Sequence, residues 1–226
     1  MELVYTGKTK DIYAQDDGTY ALKFKDDLTG ENGVFDPGAN TVGLSISGAG
    51  LAGLKMTAYY MQLFNAKGIK THFLSADLEE GIMTVLPASL FGEGIEVICR
   101  FRAVGSFIRR YGSYIKEGDS LPSYVEITLK DDERGDPLIN KDALAALHIL
   151  SPEEHDILVE MMVNAATIIR DDLAEKGMEL YDVKLEFGRV NGEIHIIDEV
   201  SGGSMRVFKD GVSLDPLALS ALVIGL

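Results

Sequence analysis

The sequence predicts a chain that mixes β-sheet with α-helix and folds as one large domain or two closely packed lobes. Three observations carry this. Residues 1–25 read as a β-meander, residues 151–177 carry a capped helix with an apolar stripe, and residues 182–200 read as a β-hairpin around Asn191-Gly192. A length of 226 residues is enough to bury a sizeable core. A hydrophobic share of 46% beside 25% charged residues is the composition of an ordinary soluble globular protein.

The meander opens with Leu3-Val4-Tyr5, bends at Gly7-Lys8-Thr9-Lys10, and continues through 11–14, a turn at Asp16-Asp17-Gly18 and the alternating run 20–25. A glycine with two lysines at a bend can lay backbone amides and ammonium groups over a phosphate. The run lacks the spacing of a P-loop, and on its own a basic surface turn explains it better. The glycine-rich segment 26–50 reads as a long irregular loop, mobile or functional. Helical spacing returns over 51–67, with Gly68 as the stop. Residues 69–74 and 83–86 read as strands, and Pro87 marks a boundary between an N-terminal lobe, 1–86, and a C-terminal lobe, 87–226. His72 reads as a satisfied polar residue at a strand start, with no second histidine nearby.

The strand 95–102 introduces an arginine cluster, Arg100, Arg102, Arg109 and Arg110, interrupted by the small turn Gly105-Ser106. In a chain of net charge −15 such a local inversion suggests an anionic ligand, because the guanidinium fork matches carboxylates and phosphates; a surface patch that neutralises neighbouring acids is the alternative. A strand over 125–129 leads into a polar loop from Lys130 to Pro137. The clearest helix follows, with Ser151 as cap, Pro152 at its first position, Glu154 closing a capping box and Gly177 ending it. Its stripe from Ile157 to Leu173 is core packing. Asp215-Pro216 starts a short apolar helix.

The hairpin carries the most chemistry. Lys184, Glu186, Asp198 and Glu199 are polar residues set into apolar strands, and two carboxylates with an ammonium could hold a divalent cation and the phosphate it carries. A two-residue loop would pair Val190 with Glu193 and put the carboxylates on opposite sides. A three-residue loop with Gly192 in a left-handed bulge would place Lys184, Glu186 and Asp198 on one face, since a slip of one residue flips every side chain. The bulged loop is the expectation; a half-exposed strand pair with merely solvated charges is the alternative.

The charge argues against sequence-independent binding to nucleic acid or an anionic membrane. No run approaches 18 apolar residues, and the opening MELVYTGKTK has no apolar signal core. The single cysteine, Cys99, allows no internal disulfide, and a cytoplasmic location is expected.

Taken in order, GKTKDIY, GENG, EVICRFRAVGSFIRRYG, KDDERGDPLI, YDVKLEFG and DEVSGGSMR resemble the phosphoribosylaminoimidazole-succinocarboxamide synthases, the SAICAR synthetases of purine biosynthesis, over nearly the whole chain. The resemblance implies an α+β fold of two lobes, an N-terminal antiparallel β-meander with a helix and a larger mixed C-terminal lobe, with ATP between them. It implies a ligase that joins the carboxylate of carboxyaminoimidazole ribotide (CAIR) to the α-amine of L-aspartate with ATP and Mg²⁺. By motif, Lys8 and Lys10 would contact ATP phosphates and Lys130 the nucleotide. Glu186 and Asp198 would hold Mg²⁺ with Lys184 beside them, and Arg100, Ser106 and Arg206 would hold the ribotide or the aspartate. The expected partners are small molecules, and self-association into a homo-oligomer stays open.

The chain departs from the family on the substrate side. Ser201-Gly202-Gly203 stands where Ser-Pro-Asp is usual, Arg100-Phe101 where Arg-Asn is common, and residues 49–54 replace a Lys-Gly-x-x-Asn-Asn segment. Either CAIR is contacted differently, or the ATP chemistry serves another acid and amine. A nucleotide-binding regulator without turnover is a further reading. A kinase ranks last, for want of its catalytic-loop and metal-loop segments.

Overall fold

The computed structural model describes residues 1–39 and 41–225; residue 40, inside the segment read as irregular, and residue 226 lie outside the described residues. In chain order β1 (Glu2–Thr6), β2 (Lys10–Ala14) and β3 (Tyr20–Phe24) are followed by β4 (Asp27–Glu31), β5 (Val34–Phe35), β6 (Val42–Ser45), α1 (Ala49–Ala66), β7 (Phe73–Asp77) and β8 (Ile82–Val85). They form a five-stranded antiparallel sheet, β1-β2-β3-β8-β7, and a small sheet, β5-β4-β6.

The second half contributes β9 (Ser89–Leu90), β10 (Ile95–Arg102), α2 (Ser106–Tyr111), β11 (Ser120–Leu129), α3 (Lys141–Ala146), α4 (Pro152–Glu175), β12 (Glu179–Val190), β13 (Glu193–Ile197), β14 (Met205–Lys209), β15 (Val212–Ser213) and α5 (Pro216–Ile224). Its sheet runs β11-β10-β12-β14-β15, with β13 and β9 also pairing on β12. This is an α+β fold built on antiparallel ladders.

The large sheet is two-faced, and its strand periodicity decides which face does what. Val97, Cys99, Val183, Leu185 and Phe187 point to one side and are buried under the α4 stripe of Leu158, Met162, Ala165, Ile169 and Leu173. Direct register pairs Glu96 with Glu186, Ile98 with Lys184 and Arg100 with Asp182, so these residues share the opposite side. Arg206 joins them opposite Asp182 on β14. The helix that covers the apolar face starts as its sequence predicts: Ser151 Oγ accepts from the Glu154 N–H at 3.1 Å and Glu154 Oε2 accepts from the Ser151 N–H at 2.9 Å. Cys99 lies mid-strand under α4, and burial pushes its thiol up to about 12.

The hydrophobic core continues from the first half into the second. Leu54, Tyr60, Met61 and Phe64 of α1 belong to the same cluster as Val183, Ile196 and Val223. Tyr60 and Tyr59 both donate to Asp172 of α4, at 3.0 and 2.6 Å. Thr71 bridges Ile196 in parallel, and the Ile196 N–H donates to Lys70 O at 3.0 Å.

Four expectations need correction. Segment 26–50 is mostly the sheet β5-β4-β6. Its glycines allow backbones to touch, for a Cβ on Gly43 would lie 2.3 Å from the carbonyl carbon of Gly30. Residues 69–72 are a connection, and the strand begins at Phe73. The small turn expected at Gly105-Ser106 opens the helix α2; it and α3 are each six residues long, too short to set up a 3.6-residue period.

The fourth is the hairpin. Its loop has two residues, with Asn191 (φ 52°) and Gly192 (φ 81°) both left-handed as a type I′ turn requires, and Val190 pairs with Glu193. The bulged register is absent.

Candidate active site

The two-residue loop would have sent Asp198 to the apolar side of the hairpin had β13 continued. It does not continue. The strand ends at Ile197, and Asp198 takes φ 62°, a conformation that aspartate tolerates better than most residues. This left-handed residue turns the chain out of the ladder. The Asp198 carboxylate comes to lie 3.3 Å from Lys10 Nζ and close enough to Glu186 to perturb it. A backbone reversal, and not strand register, brings Asp198 near Glu186.

Around them the charges interlock. Lys130 Nζ is 2.5 Å from Glu186 Oε1. Lys10, buried and 5.3 Å from the centre of the Phe24 ring, is paired with Glu199 as well as with Asp198. Thr9 Oγ1 donates to the same Glu199 oxygen at 3.4 Å. Glu186 faces Glu96 across the β10–β12 ladder, a like-charge pair that Lys184 relieves from one side, 2.8 Å from Glu96. Burial and the neighbouring Asp198 raise the Glu186 carboxyl above its ordinary range. Burial pulls Asp198 the same way, but Lys10 and Lys130 outweigh it and hold that carboxyl low. Burial would lower the ammonium groups of Lys10 and Lys130; their carboxylate partners more than offset it, so both stay charged.

Two half-buried carboxylates that repel each other suit a hard divalent cation. Among the described residues no three His, Cys, Asp or Glu side chains form a cage. Mg²⁺ needs none, because it keeps several waters and takes one or two carboxylates with substrate phosphates. The donor set fits it.

Lys8 sits at the rim, with Nζ 2.6 Å from Asp132 in the loop after β11. Its exposed pair spans the opening between the first sheet and that loop. His72 is a correction to the sequence reading. It is buried, its Nε2 has no partner, and burial lowers its pKa to about 4 against the pull of Asp198, with His195 near enough to contribute.

A second cluster occupies the far end of the same sheet face. Arg100 uses every donor it has. Nε donates to Glu126 at 3.2 Å, one terminal nitrogen to Val104 O at 3.3 Å and to Asp182, and the other to Ser106 Oγ at 2.9 Å and Glu126 at 2.6 Å. This arginine holds its neighbours in place and has no free fork. Arg206 is the accessible partner. It reaches Asp182 at 2.8 Å and Asp36 at 2.6 Å, and a Cβ on Gly105 would meet its guanidinium at 2.9 Å. Asp182 Oδ1 is buried without a partner, and burial raises that carboxyl although both arginines oppose it. Arg109 makes no ion pair among the described residues and lies close enough to Asp36 to help lower its pKa, against the effect of partial burial.

The structure thus gathers Lys10, Lys130, Glu186 and Asp198 into one cluster, with Lys184 joined through Glu96 and Lys8 at its edge. Arg100, Ser106 and Arg206 form the other. Sequence reasoning left Glu96, Asp182 and Glu126 out of the site. The first two are legible in the alternation that exposed Lys184 and Glu186, while Glu126 shares their face through β11. Asp36, in a segment read as a loop, gave no signal.

Residues 3–215 match the SAICAR synthetase family. The chain is similar to a phosphoribosylaminoimidazole-succinocarboxamide synthase of Clostridium tetani, 57% identical over 99% of this chain and 100% of that one. A synthase of the same name from Methanoculleus marisnigri is 35% identical over 95% of this chain and 86% of its own length. Among solved structures, a type-2 SAICAR synthetase in complex with ADP aligns over 98% of this chain and 97% of its own, with a TM-score of 0.86 and 29% identity. The SAICAR synthetase TM1243 aligns with a TM-score of 0.81 and 32% identity, over 92% of this chain and 87% of its own.

Proposed function

The chain belongs to the SAICAR synthetase family, and from that premise we infer the work of each cluster in an ATP-dependent ligase that joins the carboxylate of CAIR to the amine of L-aspartate, giving SAICAR, ADP and phosphate. The carrying observation is the placement of two charged sets on one sheet face. Lys10, Lys130, Glu186 and Asp198 stand at one end, and Arg206, Ser106 and Asp182 at the other.

Lys10 and Lys8 seat the phosphates, with Lys130 at the nucleotide. Residues 1–86 form the phosphate-binding lobe and 87–226 the lobe with the cation and substrate seats; the first sheet ends at Val85 and the second begins at Ser89. Glu186 and Asp198 would hold Mg²⁺, which when bound supplies positive charge to the phosphate oxygens. Lys184 keeps Glu96 from repelling Glu186. Arg206 and Arg109 hold the anionic groups of the acid substrate, and Arg100 fixes Ser106 and Asp182 around them.

A carboxylate is a poor electrophile. Transfer of the γ-phosphoryl group converts it into an acyl phosphate whose carbonyl carbon the amine attacks, with phosphate as the leaving group. Lys10 and Lys8 stabilise the charge on the transferred group, and the buried setting of Lys10 strengthens that interaction. Among the described residues no helix is long and apolar enough to cross a membrane.

ADP formation is measured with ATP, Mg²⁺, CAIR and L-aspartate, each omitted in turn. ADP release that needs all four is expected. Release that ignores CAIR would assign the chain to another acid, and nucleotide binding with no release would make it a regulator.

A further inference from the structure

Glu199 touches both halves of the molecule through one carboxylate. Oε1 receives Lys10 and Thr9 from the first sheet's phosphate bend, and Oε2 receives Ser201 Oγ. Ser201 Oγ in turn accepts the Gly203 N–H at 2.9 Å, closing the turn 202–204. We propose that Glu199 is the seat for the ammonium of the amine co-substrate, and that nucleotide binding exposes this seat by drawing Lys10 away. The proposal rests on the ligase reading above.

The charge balance leads there. A phosphate that takes Lys10 removes a cation from both Asp198 and Glu199; Mg²⁺ held by Asp198 would replace it there, and Glu199 is left without a partner of opposite charge. No other ammonium group is free to replace it: Lys25 is paired with Asp11 and Lys184 with Glu96, while Lys8 and Lys130 serve the nucleotide. The Glu199 side chain is only 17% exposed, so leaving it without a counter-charge is costly. Thr9 and Ser201 still donate hydrogen bonds but bring no charge. The cation that arrives next in this reaction is the amine of the second substrate, protonated in water. It also has to come beside the phosphates to reach the activated carbonyl.

The turn leaves it room. Gly202 is packed against α5, where a Cβ would strike Pro216 Cα at 2.7 Å; its neighbour Gly203 opens onto the carboxylate. A Cβ there would meet only Ser201 Oγ, at 3.2 Å, and Glu199 Oε2, at 3.6 Å. The glycine of this turn keeps the approach to Glu199 clear.

The test is calorimetric titration of L-aspartate, and separately of succinate, into the protein with and without saturating ADP and Mg²⁺. Succinate has both carboxylates and no ammonium. Expected is a tightening of L-aspartate by ADP of about tenfold, within the usual range for linked sites, with succinate unmoved. In Glu199→Gln the tightening falls to about onefold while ADP still binds. Equal tightening of succinate, indifference of L-aspartate to ADP, or retained linkage in Glu199→Gln each overturns the proposal. The succinate comparison needs no variant, so a misfolded one cannot rescue the idea. Failure of the wild-type protein to bind ADP overturns the nucleotide reading itself, and this seat with it.

Discussion

Arg100 and Arg206 stand a few ångströms apart on one sheet face and do different jobs, because one is enclosed and the other is not. Arg100→Ala removes the counter-charge from Glu126 and Asp182, both buried. Breaking one partner of a buried pair typically costs about 3–5 kcal/mol, so chemical denaturation should show a loss of that size. Arg206→Ala leaves less buried charge behind. It should raise KM for the acid substrate by about tenfold or more and leave KM for ATP near its original value. A matching rise for ATP would mean that Arg206 supports the whole cleft. His72 offers a pH test. Its folded pKa is lowered to about 4, below the ordinary 6.5, so the unfolded chain binds the proton more readily between those values. The His72 contribution is present above pH 6.5 and is lost as pH falls toward 4. The wild-type protein should therefore lose more stability than His72→Asn across that window, by about 3 kcal/mol at most; parallel curves would disprove the assignment.

At the scale of the element, β12 with its neighbours explains why parts of the site were legible. The alternation Asp182, Lys184, Glu186 against Val183, Leu185, Phe187 separates a polar face from an apolar one by periodicity alone. Glu96, Ile98 and Arg100 repeat it on β10, with an apolar member between the charges. The position of Asp198 was not legible, since it depends on one left-handed residue just beyond the strand, and a period of two says nothing about where a strand stops. A bulged turn is not what brings Asp198 near Glu186, for the loop has two residues and the reversal lies at Asp198 itself. The small sheet β5-β4-β6 was hidden because its glycines, placed for close backbone contact, look like a flexible loop. Asp198→Asn keeps the left-handed conformation and removes the charge. Turnover should fall below about one hundredth with the thermal midpoint little changed, and Glu186→Gln should behave alike. Asp198→Val adds strain of about 1–2 kcal/mol, so it should lower the midpoint as well. Full activity in Asp198→Asn would reject the carboxylate pair as the cation seat.

For the whole molecule, the five-stranded and the large sheet share one core; Lys8–Asp132 and Lys10–Glu199 cross between them, and Asp36–Arg206 ties the small sheet to the large one. α1 packs on α4 and α5, so neither half has an apolar face of its own to keep. Thermal unfolding should appear as one cooperative transition, with calorimetric and van't Hoff enthalpies agreeing. ADP at a hundredfold its dissociation constant should add about 2.7 kcal/mol, which for a chain of this size raises the midpoint by roughly 5–10 °C. An unmoved midpoint would count against a nucleotide seat in the cleft.

Cys99 turns that shared core into something a bench chemist can time. The only thiol in the chain is covered by α4 and held protonated, so an alkylating reagent finds no nucleophile while the sheet is closed. Modification then counts openings of the helix-covered face, molecule by molecule, with no engineered label and no competing site. At low reagent the rate reports how often the open form is populated; at high reagent it levels off at the rate of opening itself. A ligand that ties the halves together should slow this clock, and one that binds elsewhere should leave it ticking as before.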